Sequence, residues 1–319
     1  MWGKSKVVMR AMMLLAVLAV AAVGCGGSGG GSNSANADLS DASFTVGSKD
    51  FTEQQILGYM TVEALENAGA EVEDQVGLAG TNATRQALEK GDIDMYWEYT
   101  GTIWITHLGH TKPIPDSQKQ YEASAKEDLQ KNGLKLLEPA KFNNTYALAI
   151  RSEEQKKLGV ETLSDIGTLI QDKPEEATVC VESEFKARDD GLPGMEKKYG
   201  YEFPQSNVSL FDTGVIYDRT DKGEPCNFGE VFTTDGRISA LDLYVLKDDE
   251  SFFPIYNPAL EVKESTYKEY GKQLDEIFTP IAQALDTKTM SDLNAKVDVK
   301  GIPAEDVAKD WLEQKGFIG

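Results

Sequence analysis

Aromatic side chains crowd one short stretch of the sequence, residues 91–102, which reads GDIDMYWEYTGT. At a period of two, one face carries Ile93, Met95, Trp97 and Tyr99. This alternation predicts a β-strand. Tyr99 then lies at the carboxyl end of the strand, which is the edge where open α/β sheets bind their ligands. A ring at this edge can contact a ligand through its π face; simple packing of all the aromatic rings in a core is the alternative.

The other residues of this stretch have different expected roles. Trp97 lies two residues deeper than Tyr99 on the same face, so we expect it to pack in the core rather than to contact a ligand. Tyr96 and Glu98 point to the opposite face, where they pack under helices or meet solvent. Residues 100–102, Thr-Gly-Thr, predict a turn that ends the strand.

Few residues have a spacing that suggests catalysis or metal binding. The only histidines, His107 and His110, lie three positions apart without a further nitrogen or sulfur ligand nearby in sequence, so we expect surface or loop positions and no metal site. The chain contains no G-x-S-x-G motif. Its 53 acidic residues offer many carboxylate pairs, but nothing singles out one pair for glycoside hydrolysis. The sequence therefore predicts no enzyme and no cofactor.

The charge balance constrains the partners. The formal net charge is −21, so nucleic acid is not expected as a partner. Most of the carboxylates are expected to form a solvated surface. Their summed field also favours a cationic ligand over an anionic one.

The N-terminus resembles an export signal. Basic residues precede an apolar run at 11–23, which is too short to span a bilayer but has the size of a secretory h-region. We interpret residues 1–24 as a signal peptide and Cys25 as a lipid-modified first residue, although Ala22 replaces the Leu usual in a lipobox. Residues 25–43, rich in Gly, Ser and Asn, predict a flexible linker. Ordinary secretion without lipid is the alternative.

Two cysteines remain beyond the lipidation site, Cys180 and Cys226. An exported chain meets an oxidising compartment, so we expect them to form a disulfide. Two buried free thiols are the alternative.

Short strands and helices alternate along the chain. FTVGS predicts a strand, after which Thr52 and Gln55 predict a capping box at the start of a helix that Gly69 closes. The next unit repeats this order, with a turn at 80–82 and a helix at 83–90 before the aromatic strand. Such alternation indicates an α/β protein with largely parallel strand pairing.

The length after the linker exceeds one common domain, so we expect two lobes. The C-terminal segment is almost wholly helical and has no strands of its own to cover. We expect this segment to pack on the first lobe, which makes that lobe discontinuous in sequence. The two crossover strands between the lobes can then act as a hinge. We therefore predict lobe 1 at 44–145 plus 254–319 and lobe 2 at 146–253.

Six motifs, read in order along the chain, carry the strongest functional signal: VGSKDFTEQQILGYM, GTNATRQALEKGDIDMYWEYTGT, TYALAI, SEFKARDDGLPGM, FTTDGRI and FFPIYNPA. Together they closely resemble the substrate-binding proteins of ABC importers for glycine betaine, choline, carnitine and proline betaine. The resemblance extends over nearly all of the chain beyond the linker. It implies an α/β, two-lobed periplasmic-binding-protein fold of the type II-like class, with the ligand cleft between the lobes.

The ligands of this family explain why aromatic residues are needed. A quaternary ammonium group has no N–H, so hydrogen bonds cannot select it, whereas a cage of aromatic faces attracts it by roughly 0.5 to 2 kcal/mol per ring. The resemblance places Tyr99, Tyr146, Phe232 and Tyr256 in this cage. Phe232 stands where the family commonly has Tyr, which keeps the π face and loses a hydroxyl.

Betaine and carnitine also carry a carboxylate, which a guanidinium can bind in a bidentate manner. Arg188 matches the family arginine for this role, although a solvated surface charge is the ordinary reading of a single arginine. Lys49 and Thr102 match further donors from the opposite lobe. Thr81 and Asn82 lie in the turn where the family tunes choline against betaine.

These observations predict an extracytoplasmic, lipid-anchored binding protein that captures a quaternary ammonium osmolyte and delivers it to the membrane subunit of an ABC permease. One alternative is a binding protein for another small solute, such as an amino acid or a polyamine. Polyamines call for carboxylates in the cleft, whereas the matched positions are aromatic. An exported hydrolase is the other alternative, but a nucleophile with its base is hard to assemble from this sequence.

Overall fold

The computed structural model describes residues 37–319, in which strands and helices alternate and two five-stranded sheets form. The predicted signal peptide, Cys25 and the linker up to residue 36 lie outside the described residues. The flexible linker was predicted to reach residue 43, and this was wrong for residues 37–43: Leu39 is 2% exposed in the lobe 1 core and its N–H donates to the carbonyl of Ala68 at 2.8 Å.

The first sheet has the strand order β2-β1-β3-β10-β4. Its strands are β1 (Ser43–Lys49), β2 (Glu71–Leu78), β3 (Met95–Tyr99), β4 (Leu134–Leu136) and β10 (Pro258–Lys263). β10 runs antiparallel to both of its neighbours, while β1 pairs in parallel with β2 and β3. The lobe built on this sheet is called lobe 1 below.

The second sheet, which defines lobe 2, repeats this arrangement with the order β7-β6-β8-β5-β9. Its strands are β5 (Tyr146–Arg151), β6 (Val179–Val181), β7 (Val208–Leu210), β8 (Phe228–Phe232) and β9 (Leu243–Val245). β5 is antiparallel to β8 and β9, and β6 is parallel to β7 and β8. In each sheet the reversed strand is the one that the chain enters directly from the other lobe. The expected parallel pairing therefore holds for β1 with β2 and β3 and for β6 with β7 and β8, while the four pairings made by β10 and β5 are antiparallel.

The helices of lobe 1 before the first crossover are α1 (Thr52–Asn67), α2 (Thr81–Lys90), α3 (Thr100–Thr102), a π-helix at Ile103–His107 and α4 (Ser117–Asn132). Lobe 2 contains α5 (Ser152–Leu158), α6 (Leu163–Asp172), α7 (Ser183–Ala187), α8 (Leu192–Tyr199), a 3₁₀ turn at Gln205–Asn207, α9 (Thr213–Lys222) and α10 (Arg237–Ala240). The C-terminal helices are α11 (Glu264–Ala284), α12 (Thr287–Asp298) and α13 (Ala304–Lys315).

The C-terminal helices pack on lobe 1, where α12 and α13 contact α1. Leu274 and Phe278 of α11 share one buried cluster with Phe44 of β1 and with Trp97. Trp97 is 1% exposed and its indole N–H donates to Thr61 Oγ1 at 2.9 Å. The expectation that Trp97 packs in the core is therefore confirmed.

Two local predictions were wrong because tertiary contacts replaced local ones. The helix α1 has no capping box: Phe51 is its N-cap, and Thr52 donates its hydroxyl to Asp298 of α12 at 2.7 Å. Gln55 donates instead to the carbonyl of Asp50. The predicted turn at 80–82 is also helical from Thr81, so α2 starts two residues earlier than expected.

The segment after β3 is helical rather than a turn, and it brings the second crossover close to the first sheet. A Cβ at Gly101 would lie 2.7 Å from the ring of Tyr256 and 2.9 Å from the carbonyl oxygen of Ile255. Only glycine leaves room for this approach. The position of the Tyr256 ring beside the end of β3 therefore depends on Gly101.

Candidate functional site

A cleft of about 570 Å³ lies between the two sheets. Its lobe 1 wall comes from the segments that follow β1, β2 and β3, and its lobe 2 wall from the segments that follow β6, β7 and β8. The crossover residues Asn144 and Tyr256 also line it. The volume lies in the range of about 300–1,000 Å³ typical of small-molecule sites.

Five aromatic rings form a continuous cluster along the cleft. Tyr99, Tyr146, Phe232 and Tyr256, which the sequence placed in a cage, all line it, and Phe51 joins them. The Phe51 ring stacks on that of Phe232 with centroids 5.2 Å apart, and it lies 6.2 Å from Tyr99. Tyr146 lies 5.1 Å from Phe232 and 5.6 Å from Tyr256, edge to face in the second pair.

The strands explain why these rings meet. Tyr99 is the last residue of β3, Tyr146 the first of β5 and Phe232 the last of β8. Tyr146 and Phe232 are direct partners in the antiparallel pair of β5 and β8, so their side chains stand on the same face of the sheet. Phe51 follows β1, which lies beside β3, and thus reaches the same edge as Tyr99. This shared edge was the signal that could have identified Phe51 from the sequence.

Two of the tyrosine hydroxyls are anchored by buried carboxyl groups. Tyr99 donates to Glu53 at 2.8 Å and Tyr256 donates to Asp190 at 2.7 Å. Glu53 also accepts from Asn144 and Asn294, and burial raises its pKa despite these hydrogen bonds. The anchored hydroxyls fix the orientation of both rings.

Arg188 lines the cleft but already has a carboxylate partner. Its Nε and Nη2 atoms each donate to Asp190 at 2.7 Å, so the edge that could clamp a ligand carboxylate faces Asp190. Nη2 lies 3.4 Å from Thr102 Oγ1 in lobe 1. The guanidinium carbon lies 5.6 Å from the ring centroid of Tyr146, which is cation–π distance.

Lys49 is the cationic group of the lobe 1 wall. Its Nζ donates to Glu98 at 2.7 Å and lies 5.5 Å from the ring centroid of Tyr99. Glu98 is fully buried, and its second oxygen accepts from the Tyr96 hydroxyl at 2.9 Å. The face of β3 opposite Tyr99 thus carries a buried, paired carboxylate.

His107 was expected at the surface, and this was wrong. Its side chain is 5% exposed in the π-helix, and Nε2 lies 3.1 Å from Glu98 Oε2. His110 is more exposed; it stacks on Trp104 and contacts Glu127. Within residues 37–319, no group of three or more His, Cys, Asp or Glu side chains could hold a metal ion.

The two residues predicted to tune ligand choice behave differently. Thr81 is 5% exposed and lines the cleft, and its backbone N–H donates across the cleft to Glu184 Oε1 at 2.7 Å. Asn82 is exposed on α2 and does not line the cleft.

Carboxyl groups on the lobe 2 wall were not predicted from the sequence. Glu182, Glu184 and Glu230 line the cleft. Glu230 Oε2 accepts the backbone N–H of Glu182 at 2.7 Å. Burial raises the pKa of Glu230 to about 8. A carboxyl group with this pKa is mostly protonated at neutral pH.

Cys180 and Cys226 form a disulfide in the structure, with an S–S distance of 2.04 Å. It joins β6 to the segment before β8 beneath the lobe 2 wall of the cleft.

None of the helices in the described part of the chain is long and apolar enough to cross a membrane.

Comparison with known protein families gives a match over residues 42–314. The matching family is described as the substrate binding domain of ABC-type glycine betaine transport systems. The glycine-betaine-binding protein of Pseudomonas aeruginosa is 36% identical over 278 residues, which are 86% of this chain and 88% of that protein.

Two further relatives extend the comparison. The glycine betaine-binding protein YehZ of Escherichia coli is 34% identical over 85% of this chain and 90% of its own length. The solved structure of apo YehZ superposes with a TM-score of 0.63, at 33% identity, over 86% of this chain and 99% of that one. The ergothioneine transport permease/ergothioneine binding protein EgtU of Helicobacter pylori is 34% identical over 88% of this chain, which spans about half (49%) of EgtU. The expected two-lobed binding-protein fold is confirmed.

Proposed function

This chain belongs to the family of substrate-binding domains of ABC-type glycine betaine transport systems, and from this premise we propose that it captures quaternary ammonium compounds in the aromatic cluster of its cleft. The ligands proposed are glycine betaine, choline, carnitine and proline betaine. The bound compound is then delivered to the membrane subunit of an ABC permease.

The convergence of five rings is the observation that supports this proposal most strongly. Phe51 and Tyr99 come from lobe 1, Tyr146 and Phe232 from lobe 2, and Tyr256 from a crossover. Each ring can contribute roughly 0.5 to 2 kcal/mol of attraction to a trimethylammonium group. Because the rings belong to both lobes, a ligand among them favours the closed arrangement.

A ligand carboxylate would bind at the end of the cleft where Arg188, Thr102 and Lys49 lie. All three line the cleft, and Arg188 Nη1 makes no hydrogen bond to a described residue; the carboxylate oxygen Glu184 Oε2 lies 3.9 Å from it. This position leaves Nη1 free to donate to a carboxylate. The roles of Thr81 and Asn82 in ligand choice stay predictions.

The lobe boundaries fit the same scheme. We assign lobe 1 to 44–145 plus 254–319 and lobe 2 to 146–253, with the crossovers near 143–147 and 250–256 as the hinge. Outside the described residues, we propose that Cys25 carries the lipid that anchors the protein to the bacterial cell membrane, with the linker as a tether.

A second candidate ligand is ergothioneine. It is a trimethylammonium betaine with an imidazole-2-thione ring, and the relative EgtU, which is named for it, is 34% identical. The cleft volume of about 570 Å³ has space for a ligand larger than glycine betaine.

Isothermal titration calorimetry tests the proposal. The panel contains glycine betaine, choline, carnitine, proline betaine and ergothioneine, with putrescine and proline for the alternative solute classes. We expect saturable binding of at least one quaternary ammonium compound. Tyr99→Ala should weaken it strongly, while Tyr59→Ala, which removes a partly buried lobe 1 ring away from the cleft, should not. Binding of putrescine or proline alone would refute the proposal.

A further inference from the structure

We infer that Glu230 and the Tyr146 hydroxyl form a hydrogen-bonding subsite on the lobe 2 wall, which selects quaternary ammonium ligands that carry an N–H or O–H donor on the rest of the molecule. The inference rests on the proposed function and narrows its substrate class. The subsite favours carnitine, choline and ergothioneine, which carry such a donor, over glycine betaine and proline betaine, which do not.

The sheet register places the two groups side by side. Glu230 is the direct partner of Leu148 in the antiparallel pair of β5 and β8, two residues from the pair of Tyr146 and Phe232. Residues two apart on a strand share a face, and so do direct partners. Glu230 therefore lies on the same sheet face as the cage rings of lobe 2, one step further into the lobe.

Both groups have unused hydrogen-bonding capacity. Glu230 is 3% exposed and lines the cleft; Oε2 accepts the Glu182 N–H, while Oε1 has no hydrogen-bond or ion-pair partner within residues 37–319. Tyr146 is 8% exposed, and its hydroxyl makes no hydrogen bond to any described residue. Burial raises the pKa of this hydroxyl, and the Glu230 carboxylate contributes to the shift. Both residues line the cleft, and neither of these two oxygens is fully enclosed by the described residues, so a ligand group in the cleft can reach them.

The charge distribution favours a donor at this position. Each basic side chain that lines the cleft is paired with its own carboxylate: Lys49 with Glu98, Arg188 with Asp190 and Arg237 with Asp235. Glu230 has no such partner among the described residues. A ligand N–H or O–H can donate to Glu230, whereas a methyl group cannot. A ligand carboxylate can bind in the same place only by accepting a hydrogen bond from protonated Glu230 or from the Tyr146 hydroxyl, and it then keeps the proton on Glu230.

Donor binding should also release a proton. The titratable and charged groups around Glu230 are Tyr146 on β5, Glu182 after β6, Glu184 on α7 and Arg188. With a pKa of about 8, Glu230 is mostly protonated at pH 7. A donor from the ligand favours the ionised carboxylate, so part of the proton population leaves when the ligand binds.

Calorimetry with a matched ligand pair tests the inference. Carnitine and γ-butyrobetaine differ only in the hydroxyl of carnitine. We expect carnitine to bind about 10-fold to 100-fold more tightly, the range for a hydrogen bond to a charged group. Titrations at pH 7 in two buffers of different ionisation enthalpy should show more proton release for carnitine than for γ-butyrobetaine, whose only influence on Glu230 is the trimethylammonium charge that both ligands share.

Variants identify the residues. Glu230→Gln should abolish the proton release and reduce the carnitine preference, and Tyr146→Phe, which keeps the ring, should reduce the preference. Glu196→Gln is the matched control, because Glu196 is a partly buried lobe 2 carboxyl that accepts a backbone N–H from Phe203 outside the cleft. Glu196→Gln should show the same carnitine preference and the same proton release as the unmodified protein.

The outcomes separate the two proposals. If γ-butyrobetaine and carnitine bind equally, or if proton release persists in Glu230→Gln, the subsite is refuted while quaternary ammonium binding stands. If no quaternary ammonium compound binds at all, the proposed function itself is refuted.

Discussion

Each lobe buries a glutamate near the cleft end of a central strand, Glu98 on β3 and Glu230 on β8, and the two carboxyl groups have opposite pKa shifts. Burial alone would raise the pKa of Glu98, but Lys49 and His107 outweigh it and hold this pKa well below its ordinary value. Glu230 has no basic partner at ion-pair distance among the described residues, so burial raises its pKa to about 8.

The two walls therefore differ in how they accommodate a buried carboxyl group. In lobe 1 the buried charge is neutralised inside the protein, and the wall presents a fixed, paired lysine to the cleft. In lobe 2 the buried acid has no basic ion-pair partner among the described residues, and we infer above that it accepts a hydrogen bond from the ligand. Two variants test this comparison: one removes Lys49, the ion-pair partner of Glu98 in lobe 1, and the other removes the acid of Glu230 in lobe 2.

The largest expected effect comes from Lys49→Met, which leaves Glu98 buried beside His107 as its one remaining basic neighbour. Removal of one partner of a buried ion pair costs about 3–5 kcal/mol of unfolding free energy. Urea denaturation followed by circular dichroism measures this loss. Lys288→Met is the control, because Lys288 is 83% exposed and its ion pair should contribute at most about 1 kcal/mol. Equal small losses in both variants would show that Glu98 does not depend on Lys49.

The next effect is a pH dependence with opposite sign in the two lobes. The folded pKa of Glu230, about 8, lies above its ordinary value of 4.5, so the folded state binds more protons than the unfolded state between these values. Stability from this group is therefore lost as pH rises from about 5 to 8. The lowered pKa of Glu98 instead gives stability that is lost only in strong acid, below its ordinary pKa.

The measurement is the unfolding free energy at pH 5 and pH 8.5 for the unmodified protein and Glu230→Gln. The variant should lose about 2–4 kcal/mol less over this range, because each pKa unit corresponds to about 1.4 kcal/mol. Other groups with shifted pKa values are present in both proteins, so they cancel in the difference. Parallel pH profiles would show that Glu230 titrates normally.

Substitution of one aromatic ring in each lobe should have a smaller effect, and the effect should be the same for both lobes. Phe51 of lobe 1 and Phe232 of lobe 2 stack on each other, so both lobes should contribute equally to cation binding although their charges differ. Phe51→Leu and Phe232→Leu should each weaken choline binding about 2-fold to 30-fold, the effect of one cation–π contact. Phe317→Leu, which removes a ring packed on Trp311 outside the cleft, is the control. Loss in one variant alone would assign the cation to one lobe.

The aromatic residues of the site could be predicted from the sequence in two ways. The period-two alternation placed Tyr99 at the end of a strand, whereas Tyr146, Phe232 and Tyr256 were assigned through the resemblance to the family; the structure puts Tyr99, Tyr146 and Phe232 at strand ends. Phe51 was missed because it was considered only as part of a helix start. In the structure it is the N-cap of α1 and stacks on a ring of the other lobe.

The carboxyl groups could not be read from the sequence, because their properties come from packing between distant segments. The raised pKa of Glu230 results from burial between β5, β6 and β8, and Glu98 is neutralised by Lys49, 49 positions earlier in the chain. For the same reason the predicted capping box of Thr52 failed: its hydroxyl has a partner 246 positions away on α12.

The smallest expected effect concerns Phe232, where the family resemblance leads us to expect tyrosine. Phe232→Tyr keeps the π face that attracts a cation, so the affinity for choline should change by less than about threefold. Its strand partner Tyr146 gives the complementary case, since Tyr146→Phe should lower affinity for donor ligands and leave γ-butyrobetaine unchanged. Calorimetry on both variants compares a hydroxyl added at one position with a hydroxyl removed at its neighbour. A tenfold gain in Phe232→Tyr would mean that the missing hydroxyl, rather than Glu230, determines ligand choice on this wall.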